Sequence, residues 1–370
     1  MTDQPPSSRP GDVSTRICEP SDRSDQGALY ERCFEKPDGE STLRWRYDGN
    51  PHGTAISLLS REGDTLLSGY ACSPRRVLVR GEEASAALVG ETGDVMTTPE
   101  ARGRGLFSDL DRAAMAAAGK AGWPMVFGLP NRQSEGIFTG KLGWKLVGKI
   151  RPYTFVLASD EAARADRMRA GRLASAMTPW SAWRGMMSLG KMRNQYFAKV
   201  NVVSIARFDE AVDELSSRVA RDFDWMVQRD HEYLNWRFMD APAGLFRAHG
   251  VYLPDGKLCG YVIVQLPGRG ERIGYVVDIL AADDIAFAAG MDAALGHLKK
   301  ASASVARSHA IEDSWWETRL LRAGFRRGKS EDFKAVILHE LDPEHPVCRA
   351  GNHPERWYFT DGDRDDELVR

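Results

Sequence analysis

Hydrophobic positions along the 370-residue chain come in two spacings, short strand-length runs and repeats every three to four residues, which follow one another along the sequence. Residues 1–14, rich in Pro, Ser, Asp and Arg, predict a disordered tail. A short strand through Ile17 and Cys18 then precedes a helix over 25–34, with Leu29, Cys33 and Phe34 on its inner face. Residues 55–60 and 65–73 predict a strand pair joined at Glu62-Gly63-Asp64, which is turn chemistry. A second hairpin, turning at Arg80-Gly81-Glu82-Glu83, leads into an apolar run that stops at Pro99. Beyond it Leu106, Leu110, Ala113 and Ala117 recur at helical spacing through an alanine-rich segment.

The pattern repeats. Leu234-Asn235-Trp236-Arg237-Phe238 matches Leu43-Arg44-Trp45-Arg46-Tyr47 at an offset of 191. Pro242 and Gly244 stand against Pro51 and Gly53, and Gly260-Tyr261 against Gly69-Tyr70, at the same offset. Arg322-Ala323-Gly324-Phe325 continues the correspondence with Lys141-Leu142-Gly143-Trp144. Seven identical positions held in register over 28 residues imply a tandem duplication. Trp45 and Arg46 present an aromatic and a guanidinium group that suit a substrate wall, but their recurrence as Trp236 and Arg237 favours a role in supporting the fold.

Length points the same way, since a single core seldom grows to 370 residues. Hydrophobic content of 42% and charged content of 28% are those of a globular protein, and a net charge of −2 argues against nucleic acid as a partner. No apolar run is long enough to span a bilayer and the start has no signal-peptide core, so no membrane role is expected. Cys18, Cys33, Cys72, Cys259 and Cys348 are odd in number and scattered, which speaks against a metal site or a disulfide framework and for the cytoplasm.

Candidate chemistry concentrates in Gly93-Asp94-Val95-Met96-Thr97-Thr98-Pro99-Glu100-Ala101-Arg102-Gly103-Arg104-Gly105-Leu106-Phe107. The order is strand, basic glycine-rich turn, helix. Gly103 and Gly105 let the backbone approach a bulky anion, the first-turn N–H groups point out of the helix end, and Arg102 and Arg104 add charge. A phosphate or pyrophosphate fits such a turn. Neither the triphosphate-loop pattern nor the three-glycine dinucleotide fingerprint is present.

Pro-Glu-Ala-Arg-Gly-Arg-Gly-Leu-Phe after an apolar strand resembles the acetyl-coenzyme A signature of the Gcn5-related N-acetyltransferase (GNAT) superfamily. The next segments, Val126-Phe127-Gly128-Leu129-Pro130-Asn131 and Gly136-Ile137-Phe138-Thr139-Gly140-Lys141-Leu142-Gly143-Trp144, resemble that family's following strand, asparagine and short helix. The resemblance implies an α/β (α+β) fold of two tandem GNAT-like domains, each a mixed, mostly antiparallel sheet flanked by helices. Residues 15–158 would form the acetyl-CoA-binding domain and 200–342 a degenerate copy, with linker helices over 159–199 and a C-terminal tail over 343–370. It implies that the coenzyme's pyrophosphate rests on the backbone of Arg102, Gly103, Arg104, Gly105, Leu106 and Phe107. The pantetheine arm would lie beside Val95, Met96 and Thr97, with Asn131 and Ser134 in reach.

For the base that deprotonates the acceptor amine, Asp94 and Glu91 are rivals, and strand alternation turns them to opposite faces unless Gly93 permits a bulge. The family's frequent general-acid tyrosine is replaced by Thr139, so solvent or Tyr70 would protonate the leaving thiolate. His231 is a further candidate from the second half, against the plainer reading of a packing residue. In that half Ala281-Ala282-Asp283-Asp284 replaces the glycine turn, and its acids would repel a pyrophosphate. The tail reads as an aromatic anchor, Trp357-Tyr358-Phe359, followed by a solvated acidic end. The expected activity is acetyl transfer from acetyl-CoA to the primary amine of a small molecule, with an amino sugar foremost. A coenzyme-binding or scaffold protein without transferase activity is the alternative, and the oligomeric state is open.

Overall fold

A computed structural model describes residues 13–80, 86–157, 199–242, 244–329 and 331–364. The predicted linker helices fall almost wholly outside these residues. The chain divides into two units, one drawn from Met1–Arg75, Leu88–Lys145 and Leu338–Pro343, the other from Arg76–Ala87, Leu146–Ile337 and Glu344–Arg370.

In the first unit β1 (Val13–Ile17), β2 (Ile56–Glu62), β3 (Thr65–Val79, here its residues 65–75), β4 (Ala87–Thr97) and β5 (Met125–Gly128) lie in that order in a sheet. β1 to β3 pair antiparallel, and Gly63-Asp64 closes the β2–β3 turn with Gly63 at φ +57°. β4 and β5 run parallel. Around them stand α1 (Arg23–Phe34), α2 (Gly39–Leu43), α3 (Leu106–Lys120) and α4 (Arg132–Lys141). α1 and α2 meet at Gly27 and Gly39, where a Cβ on either would come within 2.4 Å of the other helix's backbone. α2 runs directly into a π-turn, Arg44–Asp48. Buried Arg23 anchors the end of that turn, donating to Asp48 at 2.8 Å and to Ser57 at 3.1 Å. The inner face of α1 is Leu29 with Tyr30, packed on Leu43, Tyr47 and Met96. Phe34, expected inside, is 38% exposed, because Tyr30 one turn earlier takes the core position and Phe34 lies edge-on against it at 4.9 Å.

The second unit begins with β6 (Lys145–Val156) and continues with β7 (Asn201–Ile205), α5 (Ala211–Ala220), β8 (Trp225–Val227) and α6 (His231–Leu234). α6 runs into a second π-turn, Asn235–Met239. Then come β9 (Phe246–Tyr252), β10 (Leu258–Gln265), β11 (Ile273–Ala281), α7 (Asp284–Lys300), β12 (Val305–Ile311) and α8 (Trp315–Arg322). β13 (Arg326–Arg327), β14 (Lys334–Glu340, divided between the units), α9 (Pro346–Gly351) and β15 (Trp357–Tyr358) complete the chain. Its sheet has the order β6-β12-β11-β10-β9-β7, with β11 and β12 parallel. The core joins Tyr153 and Phe155 of β6 to Val262, Val276, Met291, Leu298 and Trp316.

The units repeat one order of elements: short helix, π-turn, hairpin, strand, long helix, parallel strand, short helix. Each final helix leads to a glycine in the left-handed region, Gly143 at φ +73° and Gly324 at φ +94°, followed by a buried aromatic, Trp144 or Phe325. The 191-residue offset found in the sequence thus joins equivalent places in two similar sheets.

Two expectations need correction. The sequence reading ended the first domain at 158, but β6 pairs with β12 over seven residues, Ile150↔Ile311 to Val156↔Val305, and buries Tyr153 and Phe155 in the second core. Residues 77–79 of β3 likewise pair with β8 of the second unit. Asp361 and Asp363 are not solvated, being 0% and 1% exposed, because Arg229, Arg364 and His309 supply partners for them, while Asp365 and Asp366 lie outside the described residues.

Candidate active site

Along β4, β5 pairs only with Gly90, Glu91 and Thr92 among the described residues, whereas β4 continues to Thr97. The stretch from Gly93 to Thr97 therefore has no β5 neighbour on that edge, and it contains Asp94, Val95, Met96 and Thr97. Met96 is buried under α1, beside Gly69, where a Cβ would lie 2.9 Å from the Met96 methyl carbon. Ser68 fixes the strand from the β3 side by donating to the Met96 carbonyl at 2.5 Å, and its hydroxyl meets that of Thr97 at 2.9 Å. The break in alternation expected at Gly93 falls on Asp94 itself, whose φ of +48° is in the left-handed region.

Asp94 Oδ2 accepts from Arg46 Nη1 at 2.5 Å and from the Tyr47 hydroxyl at 2.7 Å. Both donors come from the π-turn, so the repeated Trp-Arg-aromatic motif reaches the site through Arg46 and Tyr47. Asp94 Oδ1 has no hydrogen bond among the described residues. Its rival Glu91 is 1% exposed and tied to buried Arg75 at 2.5 Å. Of the two acids, Asp94 is the one on the unpaired stretch.

Past Pro99–Ala101 the chain makes the glycine turn, with Gly103 at φ +79° and Gly105 at φ +83°. A Cβ at either glycine would meet nothing within 4 Å, so glycine is required here by backbone conformation and not by crowding. Gly105 is the N-cap of α3 and supplies no side-chain cap. The first N–H to bond back within the helix is that of Asp109, to the Gly105 carbonyl at 3.2 Å, so the amides of Leu106, Phe107 and Ser108 have no helical acceptor. The two arginines differ. Arg104 is held by both carboxylate oxygens of Glu62, at 3.0 and 3.2 Å, which raises its pKa, while exposed Arg102 has no acid partner among the described residues.

α3 turns Leu106, Leu110, Ala114, Met115 and Ala118 inward, one position on from the expected Ala113 and Ala117. The same face carries Asp111, which the sequence reading missed. It is 2% exposed and accepts from the Tyr70 hydroxyl at 2.8 Å and from Trp144 Nε1 at 3.4 Å, while Tyr70 accepts from Thr92 at 2.7 Å. Burial raises the Asp111 carboxyl above its ordinary 3.8, against the pull of these donors, and pushes the Tyr70 phenol well above 10. Tyr70 is thus closed off and its proton committed to Asp111. An acid at one-turn spacing beside inward apolar positions was the available signal.

α4 opens at Asn131, whose Oδ1 caps the amides of Gln133 and Ser134 at 2.9 and 3.0 Å and lies 3.1 Å from the Ser134 hydroxyl. Only the Asn131 amide hydrogens remain to be donated. Thr139 gives its hydroxyl to the Glu135 carbonyl at 2.9 Å. Phe138 packs edge-on against Phe107 at 5.0 Å and Trp144 at 4.9 Å, tying the glycine turn to α4.

The second unit answers each feature differently. Asp283 caps α7 by accepting from Ala286 N at 2.8 Å. Tyr261 donates to Asp278 at 2.7 Å, whereas the matching Tyr70 donates to Asp111 and accepts from Thr92. Asp278, Arg229, Asp363 and Thr360 form a buried network, and Arg237 donates to the carbonyls of Gly362 and Arg364 at 3.2 and 2.5 Å. His231 is tied to Asp213 at 2.8 Å within its own unit. Among the described residues no three His, Cys, Asp or Glu side chains gather to hold a metal, and no helix is long and apolar enough to cross a membrane.

The acetyltransferase (GNAT) domain family model matches residues 14–147. No curated protein sequence matches the chain. Among solved structures it is similar to a probable N-acyltransferase of Enterococcus faecalis V583, with TM-score 0.62 and 13% identity over 90% of this chain and 73% of that one. A GCN5-related N-acetyltransferase of Anabaena variabilis matches with TM-score 0.60 and 13% identity over 89% and 73%. Saccharomyces cerevisiae N-myristoyltransferase with bound myristoyl-CoA matches with TM-score 0.58 and 16% identity over 91% and 83%. The unpaired stretch of β4 and the open glycine turn both lie within the residues, 14–147, that match the acetyltransferase (GNAT) domain model, and the fold of the chain is similar to that of the GNAT acyltransferases above.

Proposed function

We propose that the protein transfers an acetyl group from acetyl-CoA to the primary amine of a small molecule, an amino sugar foremost, and that the second unit is a duplicated copy without a coenzyme site. The observation that carries this reading is the stretch of β4 without a β5 neighbour, ending in a turn after which the amides of Leu106, Phe107 and Ser108 have no helical acceptor. Acetyl-CoA would supply the thioester. Arg102 and the amides of Leu106 and Phe107 would hold its pyrophosphate, Gly103 and Gly105 letting the backbone come close. A backbone N–H of Val95, Met96 or Thr97 would polarise the thioester oxygen, and the Asn131 amide and Ser134 would steady the arm.

Asp94 draws the acceptor's ammonium and takes its proton on Oδ1, directly or through water, while Arg46 and Tyr47 fix Oδ2. The freed nitrogen bonds to the carbonyl carbon, the carbon–sulfur bond breaks, the thiolate leaves with the electron pair, and the nitrogen gives up its second proton to water. Solvent returns the proton, since Thr139 and Tyr70 are both committed elsewhere and a free thiol has a pKa of about 8.5.

Titration calorimetry of acetyl-CoA against the parent and a folded Gly103→Val/Gly105→Val variant tests the reading. Binding lost in the variant supports it, and no binding by the folded parent overturns it. Binding without transfer to any amine in a panel of amino sugars, peptides and antibiotic amines would leave a coenzyme-binding protein.

A further inference from the structure

The second unit contains a cavity of about 550 Å³ where α5, the β11–α7 turn, α7 and α8 converge. It lies at the second copy of the strand–turn–helix that forms the coenzyme turn of the first unit, yet its chemistry is reversed. One wall is aromatic: Trp315 meets Phe223 edge-on at 5.5 Å and Phe287 at 6.1 Å.

The charges decide the occupant. Three arginines line the cavity against four carboxylates, and each arginine is already engaged. Arg80 and Arg356 converge on Asp224, at 3.2 and 3.3 Å, and Arg356 also lies 3.8 Å from Glu355. Arg319 pairs with Asp284 and lies over Phe287 at 5.2 Å and Trp315 at 5.7 Å. Two acids remain. The Asp222 carboxylate has no hydrogen bond or ion pair among the described residues, and Asp283 uses a single oxygen, Oδ1, to cap α7. That cap also takes up the helix end an anion would need.

We infer that this cavity binds an organic ammonium ion: its charge between Asp222 and Asp283 and its carbon body against the Phe223–Trp315–Phe287 wall. Arg319 already lies over Phe287 and Trp315, so the rings offer apolar contact to the carbon body while the two carboxylates attract the charge, the more strongly in a partly enclosed site. The inference does not depend on the activity proposed for the first unit. It gives the second unit a ligand of its own, in the place where a coenzyme turn would have stood.

The test is calorimetric titration of the full chain with three probes: glucosamine, 1,5-diaminopentane and N-acetylglucosamine. The two amines are expected to bind, more weakly as salt rises, and the uncharged sugar is not. In Asp222→Asn/Asp283→Asn, where Asn preserves the α7 cap, amine affinity is expected to fall at least about tenfold. In Asp94→Asn it is expected to persist, which separates the cavity from an acceptor site beside Asp94 in the first unit. Equal binding of N-acetylglucosamine would overturn the ammonium assignment. So would undiminished amine binding in the double-Asn variant, or no amine binding by the folded parent.

Discussion

The two units contain similar elements in the same order and differ in what each does with its strand-to-helix turn and with the acid beside it. In the first, the turn is held open by two glycines at positive φ, and among the described residues no side chain caps α3 and one Asp94 oxygen has no hydrogen bond. In the second, Asp283 caps α7 and Asp278 is enclosed with Arg229, Thr360 and Asp363. Groups without partners among the described residues of one unit have counterparts that are paired within the chain in the other. The contrast shows that one fold serves either chemistry or stability at a given place, according to whether its polar groups are left for a ligand or paired internally.

Exchanging the two acids tests this most sharply. Asp94→Asn should lower acetyl transfer by about 10²- to 10⁴-fold, the usual contribution of a positioned base, with acetyl-CoA affinity unchanged. Asp278→Asn should lower thermal stability and leave the rate per folded molecule unaltered. Rates across pH, with calorimetric affinity and melting curves for both variants, check the pair. An Asp94→Asn enzyme that acetylates at the parental rate would remove the base assignment.

Next in size is Arg229→Ala, which leaves Asp278 and Asp363 buried without their shared cation. Breaking such a cluster should cost about 3–5 kcal/mol and lower Tm by roughly 10 °C, read by calorimetry. A shift below 1 °C would mean that the network contributes little to stability. Asp283→Ala should cost about 1 kcal/mol through the lost α7 cap, whereas Asp283→Asn should be near neutral, and urea midpoints distinguish them.

The smallest effect is a pH dependence concentrated in the second unit. Burial holds His309 below its ordinary 6.5 although Asp361 opposes this, and His249 and His297 are lowered by burial and by neighbouring cations. These imidazoles take up protons on unfolding that the folded state refuses. Their contribution is therefore complete above about pH 6.5 and declines as pH falls toward the folded values. His231 acts in the opposite direction, since Asp213 holds its proton. Urea midpoints at pH 7.5 and 5.5 should fall on acidification, and His309→Asn should reduce the drop.

What was legible in the sequence was local or repeated. The glycine turn announces itself because positive φ and an anion-binding helix end need particular residues in consecutive positions. The Trp-Arg-aromatic motif was visible because it occurs twice, although only the structure brings Arg46 to Asp94. The illegible parts depend on distant partners. Asp361 and Asp363 look like a solvated end until Arg229, more than 130 residues earlier, is seen beside Asp363. Nothing in residues 146–156 states that β6 joins the second sheet, since an alternating strand fits any edge of suitable register. Asp111 was passed over because an acid in an alanine-rich helix usually faces water, and only Tyr70 and Trp144 make its burial tolerable.

The interleaving of the units also imposes a timetable. The first unit includes Leu338–Pro343, where Glu340 pairs with Lys145 at 2.5 Å and Leu341 donates to the Pro124 carbonyl at 2.8 Å. A ribosome delivers those residues about 190 positions after Lys145, roughly ten to forty seconds later at ordinary elongation rates. Until then the nascent first unit lacks its last segment, and the second lacks the turn that encloses Arg229. Both units are therefore completed together, only once residues 338–364 have been made.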